Sequence, residues 1–370
     1  MTNNSVGLYI HIPFCKKKCL YCSFYSVKSD EVSETLFLAL LEEIQSYRDK
    51  HISVDTIFIG GGTPSLLSVS QMERLFEEIN RSFIVSGEIT IEMNPDSITD
   101  DKLKVLKSLG VNRISVGVQS LVDEELKAIG RIHNAQVAID AINTVNKYFD
   151  NINIDLMVGL PNQTIESLSY TLNKLFTLNF THCSVYSLIL EENTPLYNLV
   201  QNGLILPDSD ISVDMYEFAT VELEKHGFYR YEISNFALSG YECKHNSNCW
   251  HFHEYIGIGP SSHSYYEDTR FSNPETIEKY LNKDNKTIYP IEDKNTRVGE
   301  YIMLALRTRE GIDKNDFKQK FGLDFDSIFK NILSNKDINT SCVSTKKRFY
   351  IKPEFYYVSN SIIVIMLEVI

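Results

Sequence analysis

No apolar stretch in this sequence reaches the roughly 20 residues that a bilayer-spanning helix needs. The longest candidate, Ile362 to Met366, is a short run near the C-terminus, so no transmembrane segment is expected. A secretory signal is also missing: Met1 to Gly7 is polar, and the apolar residues that follow alternate with His11 and Pro13. The chain is therefore expected to stay in the cytoplasm. Basic residues are in deficit. Lys and Arg number 36 against 49 Asp and Glu, a formal net charge of −13, and such a surface repels a phosphate backbone. The densest basic run away from the cysteines, Lys346-Lys347-Arg348, is too short to change this, and no nucleic-acid partner is expected. There is one tryptophan, Trp250, and neither an internal repeat nor a low-complexity tract. The cysteines make a poor disulfide framework. Their number, seven, is odd, and Cys15, Cys19 and Cys22 fall within eight residues. In a reducing compartment such a cluster binds metal or does redox chemistry.

What is present is an ordinary globular composition, 43% hydrophobic and 23% charged over 370 residues, enough for one large domain and a smaller one. Short β-rich runs cover Leu8–Ile12, Thr56–Ile59, Glu88–Met93, Arg113–Val118, Ile152–Val158 and Cys183–Ile189. Most are nearly continuous in apolar or β-branched residues, the pattern of parallel strands covered on both faces. Helical periodicity falls between them, over about Glu31–Arg48, Ser70–Ser82, Asp100–Ser108, Ala135–Tyr148, Thr164–Leu178 and Asp208–His226. Asp100 and Asp208 read as caps or first-turn acids. Six strand-then-helix units predict an α/β fold, an incomplete parallel (β/α)6 barrel, because a full barrel needs two more. The barrel is assigned to residues 1–240. From about Phe271 to Lys294 the pattern weakens, so 241–294 reads as a separate segment and connection. Helical patterns at Thr296–Arg307, Lys314–Phe321 and Phe325–Leu333, with a strand-like Arg348–Ile351, make 295–370 a smaller C-terminal α+β domain, possible in a winged-helix arrangement.

Chemistry in parallel α/β barrels sits at the carboxyl ends of the strands. Cys15–Cys22 follows the first run, Gly60-Gly61-Gly62-Thr63-Pro64 the second; Glu92 closes the third, Gln119 follows the fourth, and Asp155 lies within the fifth. The cysteine spacing is Cys-x3-Cys-x2-Cys. Three thiolates on one short loop can hold three irons of a cubane cluster and leave the fourth open, as reductive cleavage of S-adenosylmethionine (SAM) requires. Zinc held by His11 with the three cysteines, and a thiol redox switch, are the other readings of that spacing. The glycine run and the barrel pattern favour the cluster. Buried lone acids are costly, so Glu92 and Asp155 read as partners of ligand amine or hydroxyl groups, or of neighbouring cations.

The motif on a loop after the first strand resembles the radical SAM superfamily. Tyr9-Ile-His-Ile-Pro-Phe-Cys, the Gly60–Pro64 run and Asp155-Leu-Met-Val-Gly-Leu-Pro resemble the branch that holds oxygen-independent coproporphyrinogen III oxidases and HemW-type heme chaperones. This resemblance implies a [4Fe–4S] cluster on Cys15, Cys19 and Cys22. It implies a SAM site lined by Tyr9, Tyr21, Gly61, Gly62, Thr63, Glu92, Gln119, Arg131 and Asp155. Oxidases of this branch carry a further cysteine two residues after the third, where this chain has Phe24. The chaperone motif His-Asn-x-x-Tyr-Trp is matched by His245, Asn246 and Trp250, with Cys249 in place of Tyr. The chaperone subgroup is therefore the expectation, with heme as a further cofactor, His245 as a contact, and heme acceptor proteins as partners. A flavodoxin or ferredoxin is the expected electron donor. The oxidase is the alternative.

Overall fold

The computed structural model describes residues 5–290 and 293–370. Six parallel strands form in chain order: β1 (Val6–Ile12), β2 (Ser53–Gly61), β3 (Ile84–Met93), β4 (Arg113–Gln119), β5 (Ile152–Val158) and β6 (His182–Ser187). Each pairs with the next. The helices α1 (Glu34–Gln45), α2 (Val69–Ser82), α3 (Asp100–Ser108), α4 (Ala135–Val145), α5 (Ile165–Leu175) and α6 (Ser209–Lys225) match the six periodic segments. Ser33, Ser68, Thr99, Asn134, Thr164 and Asp208 open them, each accepting a first-turn N–H. Such caps satisfy amides that the helix itself leaves unpaired. Asp208 is thus a cap, whereas Asp100 is a first-turn acid behind Thr99.

The strands are not apolar on both faces. Leu8, Ile10, Ile57, Ile59, Ile114, Val116, Ile154 and Val185 are fully buried in one core shared with the helices. Each such side chain contributes roughly 1.5–3 kcal/mol by leaving water. The alternate positions include Glu92, Arg113, Ser115, Gln119, Asn153, Asp155 and Ser184, which line internal cavities instead. A period of two therefore separates scaffold from site.

The sheet continues past both edges. Tyr255–Ile258 runs parallel to β1, followed by antiparallel His263–Tyr266, Thr269–Ser272 and Thr287–Ile288. Asn235–Ala237 and Tyr229–Arg230 extend it beyond β6. This corrects the expectation that 241–294 is a connection: Ile256, Ile258 and Tyr280 are part of the barrel core. Its short antiparallel strands lack the long apolar runs that mark the parallel ones. A second core begins at Val298 and gathers Ile302, Phe317, Phe325, Phe349 and Ile363. It encloses a three-stranded antiparallel sheet, with Arg348–Ile351 between Ile312–Asp313 and Cys342–Ser344. The apolar run Ile362–Met366 belongs to the helix Ser359–Leu367 and packs into this core. Among the described residues no helix is long and apolar enough to cross a membrane.

Candidate cofactor site

The loop after β1 carries the three cysteines. It is pinned from outside: Leu20 donates its N–H to the Ile129 carbonyl at 3.0 Å and accepts from Leu196 N at 2.9 Å. Cys15, Cys19 and Cys22 are free thiols, each partly exposed. All three line one cavity of about 150 Å³, together with Tyr21, Gly61, Gly62, Thr63, Glu92, Gln119, Arg131 and Asp155. Arg131 is partly buried, donates from Nη1 to Cys19 Sγ at 3.4 Å, and is held by Gly117 O at 2.5 Å and Asn94 Oδ1 at 2.9 Å. Burial pushes the Cys22 thiol up from its ordinary range and holds the Tyr21 phenol protonated. Larger cavities elsewhere carry no thiol: a 590 Å³ groove at Leu38, Tyr280 and Lys286, and a 460 Å³ one at Asp55, His253 and Arg297.

His11 does not complete a zinc set. Its Nδ1 meets the Tyr9 hydroxyl at 2.9 Å and its Nε2 meets Tyr25 O at 3.0 Å, so both ring nitrogens are engaged. Among the described residues no three His, Cys, Asp or Glu side chains converge on a point where one ion would sit. A cubane instead offers each thiolate its own iron.

The glycine run owes its composition to packing. Gly61 has φ +108°, a left-handed conformation that favours glycine. A Cβ there would overlap the His11 imidazole, and one on Gly62 would lie 2.6 Å from Phe14 O. Gly62 N also donates to Ile12 O at 2.9 Å. The run thus clamps β2 to the end of β1 while still lining the cavity.

Glu92 Oε2 accepts from Gly61 N at 3.1 Å, and burial pushes its carboxyl up to about 8, with Asp155 adding like-charge repulsion. Asp155 accepts from Asn153 Nδ2 at 2.8 Å, and burial raises it too. Gln119 ends β4 at φ +69°, an uncommon left-handed conformation for a non-glycine residue. The ladder slips one residue between Gly117 and Gln119. Such bulges re-aim a side chain, and Gln119 lines the cavity. Thr63 accepts from Asn94 Nδ2 at 2.9 Å, which links it to Arg131 through Asn94.

Two expected residues stand apart from this wall. Tyr9 lies one layer behind, holding His11 and stacking on Phe58 with ring centroids 6.4 Å apart. His245 is near the amino ends of the strands, on the helix Lys244–Trp250. Its Nδ1 meets Thr56 Oγ1 at 3.1 Å, its ring packs 5.4 Å from Phe58, and only 6% of it is exposed. Burial pushes its pKa down to about 4. Cys243 is fully buried against Glu88, its thiol pushed up to about 12, and burial pushes Cys249 up to about 11. The His245 imidazole therefore faces inward in this fold, engaged by Thr56. The segment folds inward because Glu88 accepts the N–H groups of Lys244 and His245, both at 3.2 Å, against the positive end of the helix.

A second cavity of about 430 Å³ adjoins the first, sharing Tyr21, Cys22, Phe24, Glu92, Ser115, Gln119 and Asp155. It adds Phe58, Arg113, Asn153, Met157, Ser184, Tyr186, Ile189 and Asn246. Sequence reasoning passed over Ser115 and Arg113, although both share Gln119's face at spacing two.

Residues 9–175 match the model of the Radical SAM superfamily, and residues 293–336 match that of the HemN C-terminal domain. The heme chaperone HemW of Bacillus subtilis is 38% identical over 340 residues, 88% of this chain and 90% of that one. HemW of Lactococcus lactis is 35% identical over 362 residues, 96% of this chain and 95% of that one. The coproporphyrinogen III oxidase HemN of Escherichia coli superposes with a TM-score of 0.85 over 98% of this chain and 90% of its own, at 22% identity, which shows a shared fold. From its loop of three cysteines to its C-terminal unit, this chain belongs to the HemW family of radical SAM proteins.

Proposed function

We propose that this cytoplasmic chain holds a [4Fe–4S] cluster on Cys15, Cys19 and Cys22, binds SAM beside it, and binds heme for delivery to acceptor proteins. The observation that carries this reading is the single wall on which three free thiols meet Gly61, Gly62, Thr63, Glu92, Gln119 and Asp155. The donor set fits: soft thiolates suit iron, and oxygen and amide groups suit an amine, a ribose and an adenine. When reduced, the cluster supplies one electron to the sulfonium of SAM. Arg131 offsets negative charge at Cys19. Tyr21 and Phe24 line both cavities. A flavodoxin or ferredoxin is the proposed donor of electrons. Heme enters through the relatives, which are named heme chaperones.

Glu92 makes the SAM reading testable by pH. Its carboxyl, pushed up to about 8, must ionise to meet an ammonium group. SAM affinity is expected to rise from pH 6 to 8, by up to about tenfold per unit, and to be flat in Glu92→Gln. The sign for stability is opposite. The fold favours the protonated acid, so stability of the metal-free chain falls as pH rises from 4.5 toward about 8. Calorimetry on both proteins checks both signs; parallel profiles would make Glu92 a spectator.

The oxidase is disfavoured by Phe24, which stands at the cavity mouth, 70% exposed, where oxidases of this branch carry a cysteine. Anaerobic, reconstituted protein is expected to give a saturable Soret change with heme. With SAM, reductant and coproporphyrinogen III it is expected to form no protoporphyrinogen IX. Accumulation of that product would reverse the assignment.

A further inference from the structure

We infer that Arg113 is an anchor for a ligand carboxylate at the inner end of the 430 Å³ cavity. Arg113 opens β4 and Gln119 closes it, yet both line this cavity. Arg113 is 2% exposed, and its Nε has no hydrogen-bond partner among the described residues. Leaving a buried donor unmet is costly. The nearby acids act on it through space but are committed elsewhere. Glu88 accepts from Lys244 N, His245 N and Cys243 Sγ. Asp155 accepts from Asn153. The guanidinium fork is shaped for a carboxylate, which it binds bidentately. Asn153, Ser184 and Asn246 surround it with further polar groups.

SAM and heme both carry carboxylates. The cavity favours the tetrapyrrole, an assignment that rests on the heme reading above. Its outer rim is apolar and open: Phe24 is 70%, Ile189 69% and Tyr186 41% exposed. Exposed apolar groups over a buried cation suit a flat apolar ring with a propionate.

The test titrates the full reconstituted chain, Arg113→Gln and Arg113→Lys with iron protoporphyrin IX and with its dimethyl ester, and measures SAM affinity by calorimetry. The wild type is expected to prefer the free acid by tenfold or more. Arg113→Gln loses that margin, and Arg113→Lys keeps part of it. A tenfold loss of SAM affinity in Arg113→Gln with the acid–ester margin intact assigns the anchor to the SAM carboxylate. Unchanged margin and unchanged SAM affinity in both variants overturns the inference while leaving heme binding standing. A wild type that binds neither porphyrin sinks the heme reading instead, and the SAM measurement then decides Arg113. Should the Gln variant fail to fold, Arg113→Lys, which keeps the buried charge, carries the comparison.

Discussion

Replacing any one of Cys15, Cys19 or Cys22 with Ser is expected to abolish cluster assembly and leave the fold in place. The three thiols are partly exposed and none belongs to either hydrophobic core, so exchanging sulfur for oxygen removes little packing. It does remove a soft ligand, and iron–sulfur clusters are held by thiolates. Iron content should fall from about four per chain toward zero, with loss of the broad absorption near 400 nm. Cys183→Ser and Cys243→Ser are the controls. Both residues are fully buried outside the cavity wall, so these variants should melt earlier yet bind iron normally. Full iron loading in the Cys22→Ser variant would remove the cluster from this loop.

Gly61→Ala is the substitution with the largest expected effect on folding. Two costs fall on one residue. The backbone is left-handed at φ +108°, and the new methyl would overlap His11. His11 cannot easily yield, since both ring nitrogens are bonded, to Tyr9 and to Tyr25. A loss on the order of 3 kcal/mol or more is expected, from strain and overpacking together. Gly203 separates the two causes. It has φ +100° but open space where a Cβ would go, so Gly203→Ala should cost only about 1–2 kcal/mol. Urea denaturation of the metal-free variants measures both. Equal losses would show that backbone conformation alone demands glycine at position 61.

Much of this was legible along the chain. The six strands appear as short, nearly continuous apolar runs and the six helices as segments of period 3.6, because local burial leaves those patterns. The cysteine spacing was equally plain, since one short loop holds all three thiols and no distant contact is needed to bring them together. Glu92, Gln119 and Asp155 could be placed by the rule that strand ends carry chemistry, and they do line the cavity with the cysteines.

Other features depend on residues far apart in sequence, and only the tertiary structure decided them. His245 looks like a ligand when read locally. Its inward placement is held by Glu88 and Thr56, more than 150 residues earlier. That packing as well as the cavity demands glycine at position 61 is seen only with His11 in the space beside it. Arg113 looks like one more strand residue; that its Nε is buried without a hydrogen-bond partner emerges only from the packing around it. A sequence records which groups are available, and the enclosure that makes an unmet donor costly is a property of packing.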